Sequence, residues 1–359
     1  MKKNTKYSKY KIFHFQDKID SLPIDVDVIK APVHIRIKPT NVCNHACWYC
    51  SYQSLDDIQL AKNMVVKDMI PKDKMIEIID DCIDMKVKAI TFSGGGEPFL
   101  YPYLLEVVQK LSKSDIKFSS LTNGSKLKGK LAEVFAHNAE WVRISIDGWD
   151  DKSYSEYRKV KDGSFSKLIE NIRNFKKFKG KCSLGISYII DNKNYNHIYD
   201  VIKLMRDAGA DSFKLSPCIV DDSGRTNNIY HKPIFEKTKE EINRAIKDFS
   251  SETFEIYDTY HALEEKFKKD YEYCPYLQIL PIIGADLNVY TCQDKAYNLD
   301  TGILGTIKDL SFKKFWFNDK SKFFKTNPSE VCNHHCISNE KNKIILEYLN
   351  SDKDHLNFV

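Results

Sequence analysis

No apolar run in these 359 residues reaches the length of about 20 that a membrane-spanning helix needs, so no membrane partner is expected. The basic start, MKKNTKYSKYKIFHF, lacks the apolar stretch of a secretion signal; export is not expected, and a cytoplasmic location is. There is no short-period repeat and no low-complexity stretch. The net charge of +5 is mild and spread along the chain, without a dense Lys/Arg stripe interleaved with aromatics, which argues against a nucleic-acid partner. The glycine run in Ser93-Gly94-Gly95-Gly96-Glu97-Pro98 lacks the Lys-Ser/Thr pair that a phosphate loop requires.

Cysteine, by contrast, is plentiful. Ten cysteines in a long chain without an export signal point to metal ligands in a reducing compartment rather than to a disulfide framework. Cys43, Cys47 and Cys50 lie in the run PTNVCNHACWYCSYQ, just after the alternating segment VHIRI. The spacing Cys-x3-Cys-x2-Cys lets three thiolates hold three corners of a cubane [4Fe–4S] cluster and leaves the fourth iron open for a substrate. A structural zinc site prefers four closed ligands, so the local set is one short unless His45 joins it.

Short β-like runs alternate with helical periods through the first two thirds of the chain. The strand candidates are 33–37, 88–93, 117–122, 141–146, 183–190 and 211–216. Between them, Met75, Ile79, Cys82 and Ile83 form one helical stripe. Phe165, Leu168, Ile169, Ile172 and Phe175 form a second, and Ile198, Val201, Ile202 and Met205 a third. Six βα units predict an α/β fold with a parallel sheet curled into an open, partial barrel. The chemistry-bearing motifs all follow strands: the cysteine loop the first, Gly94–Pro98 the second, Asn123-Gly124 the third and Asp147-Gly148 the fourth. Function in such folds gathers at the C-terminal ends of the strands. Cys82 and Cys182 read as structural, whereas Cys218, just past the sixth strand, is a candidate hydrogen-atom donor or simply a buried loop thiol.

With Tyr49 directly before the last cysteine of the triad, and with the glycine turn and RISIDG in the expected order, residues 33–217 resemble the radical S-adenosylmethionine (SAM) superfamily. That resemblance implies a partial (β/α)6 barrel and a [4Fe–4S] cluster whose open iron binds SAM, with an electron donor such as flavodoxin or ferredoxin. It implies contacts to SAM from Gly95, Gly96 and Glu97, from Ser145 and Asp147 to the ribose or carboxylate, and from Asn123, Arg158 and Tyr49. Each has an ordinary reading too: tight turns, a helix cap, a solvated arginine, core packing.

A second set comprises Cys274, Cys292, Cys332 and Cys336; GADLNVYTC reads as a hairpin ending at Cys292. Four thiolates can complete a closed [4Fe–4S] site, and zinc is the rival, with His334 or His335 able to join. The layout resembles the C-terminal SPASM and twitch extensions that carry auxiliary clusters, with four cysteines fitting one cluster. The expected division is an N-terminal extension (1–32), a barrel (33–230) and linker helices with a small auxiliary-cluster domain (231–359). The loop with Asp221, Asp222, Ser223, Arg225, Asn227 and Asn228 suits a hydroxyl-rich ligand. The expected function is therefore radical oxidation or rearrangement of a small polar, carbohydrate-like substrate: a sugar, amino sugar or cyclitol, with a dehydrogenase favoured over an epimerase. The alternatives are modification of a peptide or protein side chain, and a non-catalytic zinc or Fe–S protein.

Overall fold

The computed structural model describes residues 8–53, 60–261, 266–355 and 357. Six parallel strands run in sequence order: β1 (His34–Ile37), β2 (Ala89–Phe92), β3 (Lys117–Thr122), β4 (Trp141–Ile146), β5 (Ser183–Ile190) and β6 (Ser212–Pro217). Helices α1 (Lys72–Asp84), α2 (Leu104–Leu111), α3 (Gly129–Asn138), α4 (Asp151–Arg158), α5 (Ser164–Lys177) and α6 (Ile198–Asp207) cross between them. The expected (β/α)6 arrangement is what forms, and the strands agree with the sequence periodicity to within a residue.

The alternation explains why. In β4, Val142, Ile144 and Ile146 are buried, while Trp141, Arg143 and Ser145 point to the partly open interior. Helix α1 buries Met75, Ile78, Ile79 and Cys82, and α6 buries Ile198, Val201, Ile202 and Met205, so one core lies between sheet and helices. Truncating a fully enclosed residue such as Ile144 to alanine costs about 2–5 kcal/mol through lost transfer energy and the cavity left behind. Cys82 and Cys182 belong to this core.

The sheet is larger than six strands. After α7 (Gly224–His231) and α8 (Phe235–Phe249), strand β7 (Glu255–Asp258) pairs parallel with β6. At the opposite edge β8 (Ile282–Ile283) pairs parallel with β1, and β9 (Asn288–Tyr290) and β10 (Ile303–Thr306) continue antiparallel. The order is β10-β9-β8-β1-β2-β3-β4-β5-β6-β7. The hairpin expected before Cys292 is β8–β9, and it extends the barrel sheet itself. Helices α9 (Phe312–Asn318) and α10 (Asn339–Leu349) follow. The helix expected near 259–269 has its centre, 262–265, outside the described residues. Ile12, Ile19 and Leu22 pack on Ile279 and Ile345, tying the start of the chain to its end. Among the described residues no helix is long and apolar enough to cross a membrane.

Candidate functional site

The cysteine loop leaves β1 at its C-terminal end and is gripped from two sides. The Ala46 amide donates to the Arg158 carbonyl at 3.0 Å and the Trp48 amide to that of Tyr157 at 3.3 Å, so the end of α4 sets its path. On the other side the Gly96 amide donates to the Thr40 carbonyl at 3.2 Å and Glu97 to that of Val42 at 2.9 Å. A β-carbon on Gly95 would lie 2.2 Å from Asn41 Oδ1, and one on Gly96 would lie 2.1 Å from the Val42 carbonyl oxygen. Only glycine permits this approach, and it holds the triad against the end of β2. Cys43, Cys47 and Cys50 all remain partly exposed, and the Cys43 thiol is pushed up to about 11, first by burial and then by Glu97, Cys47 and Cys50.

Glu97 is enclosed. Its Oε1 accepts from Thr122 Oγ1 at 2.6 Å and from the Phe99 amide at 3.0 Å, and its Oε2 from the Asn123 amide at 2.6 Å. The Asn123 side chain in turn donates to Asn44 Oδ1 at 2.9 Å and accepts from Ser125. These two residues therefore weld the end of β3 to the glycine turn and the cysteine loop; their expected contact to SAM rests on the resemblance alone.

Beyond β4, Asp147 Oδ2 accepts from Arg158 Nη2 at 2.5 Å and from the Tyr49 hydroxyl, and Oδ1 accepts from the Ile189 amide at 2.8 Å. The pair is almost fully enclosed. Burial opposes the Arg158 charge, yet Tyr49, Cys47 and Asp147 hold it protonated above its ordinary range. Arg158 Nε has no partner, leaving a buried donor beside the triad. Tyr49, Asp147 and Arg158 are thus brought together, and Ser145 lies on the interior face of β4, in register with Ser187.

The second set also converges. Cys274, Cys292, Cys332 and Cys336 line one enclosed pocket with Lys269, Thr291 and His334. Burial, then Asp294 and the other three thiols, push Cys292 well up, and Cys274 is raised to about 11, so thiolates need a cationic centre here. Lys269 Nζ, buried, donates to the carbonyls of Phe267 at 2.8 Å and of His334. Among the described residues only Cys292, Asp294 and His334 bring three ligand atoms within 4.8 Å of one another. Neither cysteine set is drawn in to the spacing of roughly 3.8 Å that a tetrahedral zinc with 2.3 Å bonds imposes. Asp294 escaped the sequence reading, although it stands two residues after a candidate ligand.

Also unforeseen is the link between the two sites. Lys38 Nζ donates to the Tyr52 hydroxyl at 2.7 Å and to the Gly94 carbonyl at 2.6 Å; the Gln293 amide donates to the same Tyr52 oxygen. Tyr52 follows Cys50 by two positions, and Gln293 directly follows Cys292.

Two expectations fare differently. In the segment after β6, Asn227 bonds the Val220 amide and the carbonyls of Asp221 and Ser223, while Ser223 caps α7. Arg225, Asn227 and Asn228 lie in helix α7 rather than in a loop, and the hydroxyl-binding role has no support. Cys218 is buried, its carbonyl bonded by His231, and burial pushes its thiol far up.

A family model described as the radical SAM superfamily matches residues 37–204. The chain is 25% identical over 218 residues to a probable GTP 3′,8-cyclase of Sulfurisphaera tokodaii, an alignment spanning 60% of this chain and 63% of that one; for the Sulfolobus acidocaldarius counterpart the latter share is 54%. It is 23% identical over 320 residues to a cysteine-type anaerobic sulfatase-maturating enzyme of Clostridium novyi, covering 80% of each. In fold it resembles Streptococcus suis SuiB bound to the precursor peptide SuiA, with a TM-score of 0.62 and 16% identity over 88% of this chain and 71% of that one. The structure of anSMEcpe with bound AdoMet gives a TM-score of 0.59 at 21% identity, covering 84% and 82%.

Proposed function

The chain belongs to the radical SAM superfamily through residues 37–204, and we propose that it modifies a side chain of a peptide or protein substrate. Its cofactors are a [4Fe–4S] cluster with SAM and an auxiliary [4Fe–4S] cluster. Cys43, Cys47 and Cys50 would hold the first; Cys274, Cys292, Cys332 and Cys336 would hold the second. When bound, the first cluster supplies the electron that cleaves SAM to a hydrogen-abstracting 5′-deoxyadenosyl radical.

The chain's own residues prepare that site. The glycine turn and α4 fix the triad loop, and Arg158, kept charged by Asp147 and Tyr49, offers its free Nε toward an anion such as the SAM carboxylate. Gly95, Gly96, Glu97, Asn123 and Ser145 complete the proposed SAM surroundings. The observation that carries the two-centre reading is the convergence of four thiols in one pocket, joined through Gln293, Tyr52 and Lys38 to the triad loop.

Peptide modification is preferred to the sugar expected from the sequence on two grounds. Asn227 and Ser223 of the segment that motivated the sugar are taken up by internal hydrogen bonds, and the maturase relative aligns along 80% of the chain. Oxidation rather than epimerisation is retained in the proposal, since the Cys218 thiol is enclosed and the second centre is at hand.

The test is a hydrogen-donor screen with the reconstituted enzyme under anaerobic conditions. Peptides deuterated at side-chain carbons should pass deuterium to 5′-deoxyadenosine. Deuterium transfer from cyclitols or sugars, and from no peptide, would overturn the reading.

A further inference from the structure

We propose that Lys269 and Lys295 are the buried counter-charges of the second cysteine set, and that they raise the reduction potential of the centre held there. The inference rests on the auxiliary-cluster reading and adds the groups that tune it.

Both ammonium groups are enclosed: Lys269 is 7% exposed and Lys295 4%. Lys269 Nζ is tied to the turn that carries Cys332 and Cys336. It donates to the Lys266 carbonyl at 3.2 Å, the same oxygen that accepts from the Cys336 amide at 2.9 Å, and to the carbonyls of Phe267 and His334. Lys295, three residues beyond Cys292, donates to Thr301 Oγ1 at 2.6 Å. Among the described residues neither lysine forms an ion pair with a carboxylate.

Their fields reach the thiols. Burial pushes the Cys332 thiol up, while Lys295 and then Lys269 oppose that rise. In return, burial pushes the Lys269 ammonium down, while Cys336, Cys332, Asp294 and Cys292 support it. One carboxylate acts in the other direction: Asp294 adds to burial in raising Cys292, Cys332 and Cys336. Its Oδ2 accepts from the Ile337 amide at 3.2 Å, and Arg36, Lys269 and Lys38 favour its ionised form. Lys269, Lys295 and Asp294 together still leave a net positive charge facing the four thiols.

A buried ammonium without a carboxylate partner destabilises a fold unless another anion offsets it. A four-thiolate cluster is such an anion, and reduction adds a further negative charge to it. The two lysines therefore favour the reduced form, and Asp294 disfavours it. Shaping the cysteine turn does not account for Lys295, whose side-chain hydrogen bond goes to Thr301. Under the oxidation retained above, the substrate radical gives up one electron to this centre and releases one proton. A raised potential suits that acceptor.

The test reads the second centre by itself, in the full-length chain with Cys43, Cys47 and Cys50 replaced by alanine and reconstituted anaerobically. Iron content is measured first, then a dithionite titration is followed by absorbance and electron paramagnetic resonance. Lys295→Met and Lys269→Met should each lower the ratio of reduced to oxidised centre, at the midpoint of that background, at least about fivefold. Lys295→Arg should stay near the background, and Asp294→Asn should shift the ratio the opposite way. An unchanged ratio in either methionine variant, or a shift of the same sign in Asp294→Asn, would overturn the proposal. Where a methionine variant fails to hold iron, retention by the arginine variant at that position supports the charge role. Loss from both would mark the lysine as a packing group and overturn it. Zinc in place of iron at the second set would reject the cluster reading, and the potential with it. The counter-charge role is then read from metal retention: EDTA should extract the zinc at least about threefold faster from Lys295→Met, and an equal rate would overturn that role as well.

Discussion

Gln293 and Tyr52 share a hydrogen bond across 241 positions of sequence, and Lys38 donates to the same phenolic oxygen. One enclosed oxygen thus joins the chain just after the last cysteine of the triad to the chain just after Cys292. Removing it by Tyr52→Phe leaves the interior ammonium of Lys38 with the Gly94 carbonyl as its remaining recorded hydrogen-bond partner. The expected cost is about 1–3 kcal/mol, read as a lowered urea midpoint of the reduced apoprotein. An unchanged midpoint would mean that the two centres are docked by other contacts.

Much of the barrel was legible because its strands are long enough to show their period. The segments 117–122, 141–146 and 183–190 form strands with those bounds, the latter two each with one face apolar. Strand β7, EIYD, is short and half polar, and β8 has two residues, so neither carries a periodic signal; pairing to β6 and β1 makes them strands. The cysteines were legible by type and spacing. The Tyr52–Gln293 link was not, since nothing local marks either residue. The loop at 221–228 misled for the converse reason: its hydrogen-bonding groups are real, but Asn227 and Ser223 turn them inward.

The Asp147–Arg158 pair makes a sharp mutational prediction. Asp147→Asn leaves an enclosed guanidinium without its counter-charge, at a cost of about 3–5 kcal/mol. The variant should melt well below the parent in the apoprotein, before any cluster is installed. A melting temperature within a degree or two of the parent would show that solvent reaches the pair.

Metal analysis tests the two-centre account. Anaerobically reconstituted protein should carry about eight iron and eight sulfide per chain. Replacing Cys43, Cys47 and Cys50 together by alanine should halve both values. Stoichiometric zinc in natively purified protein, with iron confined to the N-terminal site, would remove the auxiliary cluster and make Cys292, Asp294 and His334 the natural ligands of a single ion.

Cys218 separates oxidation from radical quenching. If the product is oxidised, Cys218→Ala should leave product yield within about twofold of the parent, and no solvent deuterium should enter the reacting carbon. Incorporation of solvent deuterium, together with loss of product while SAM cleavage continues, would identify the thiol as a hydrogen donor.

The most direct measurement is SAM cleavage itself. Reconstituted enzyme reduced with dithionite should convert SAM to 5′-deoxyadenosine and methionine, and Cys47→Ala should release no 5′-deoxyadenosine under the same conditions. Release at the parental rate from the Cys47→Ala variant would contradict the assignment of the triad loop as the SAM-cleaving centre.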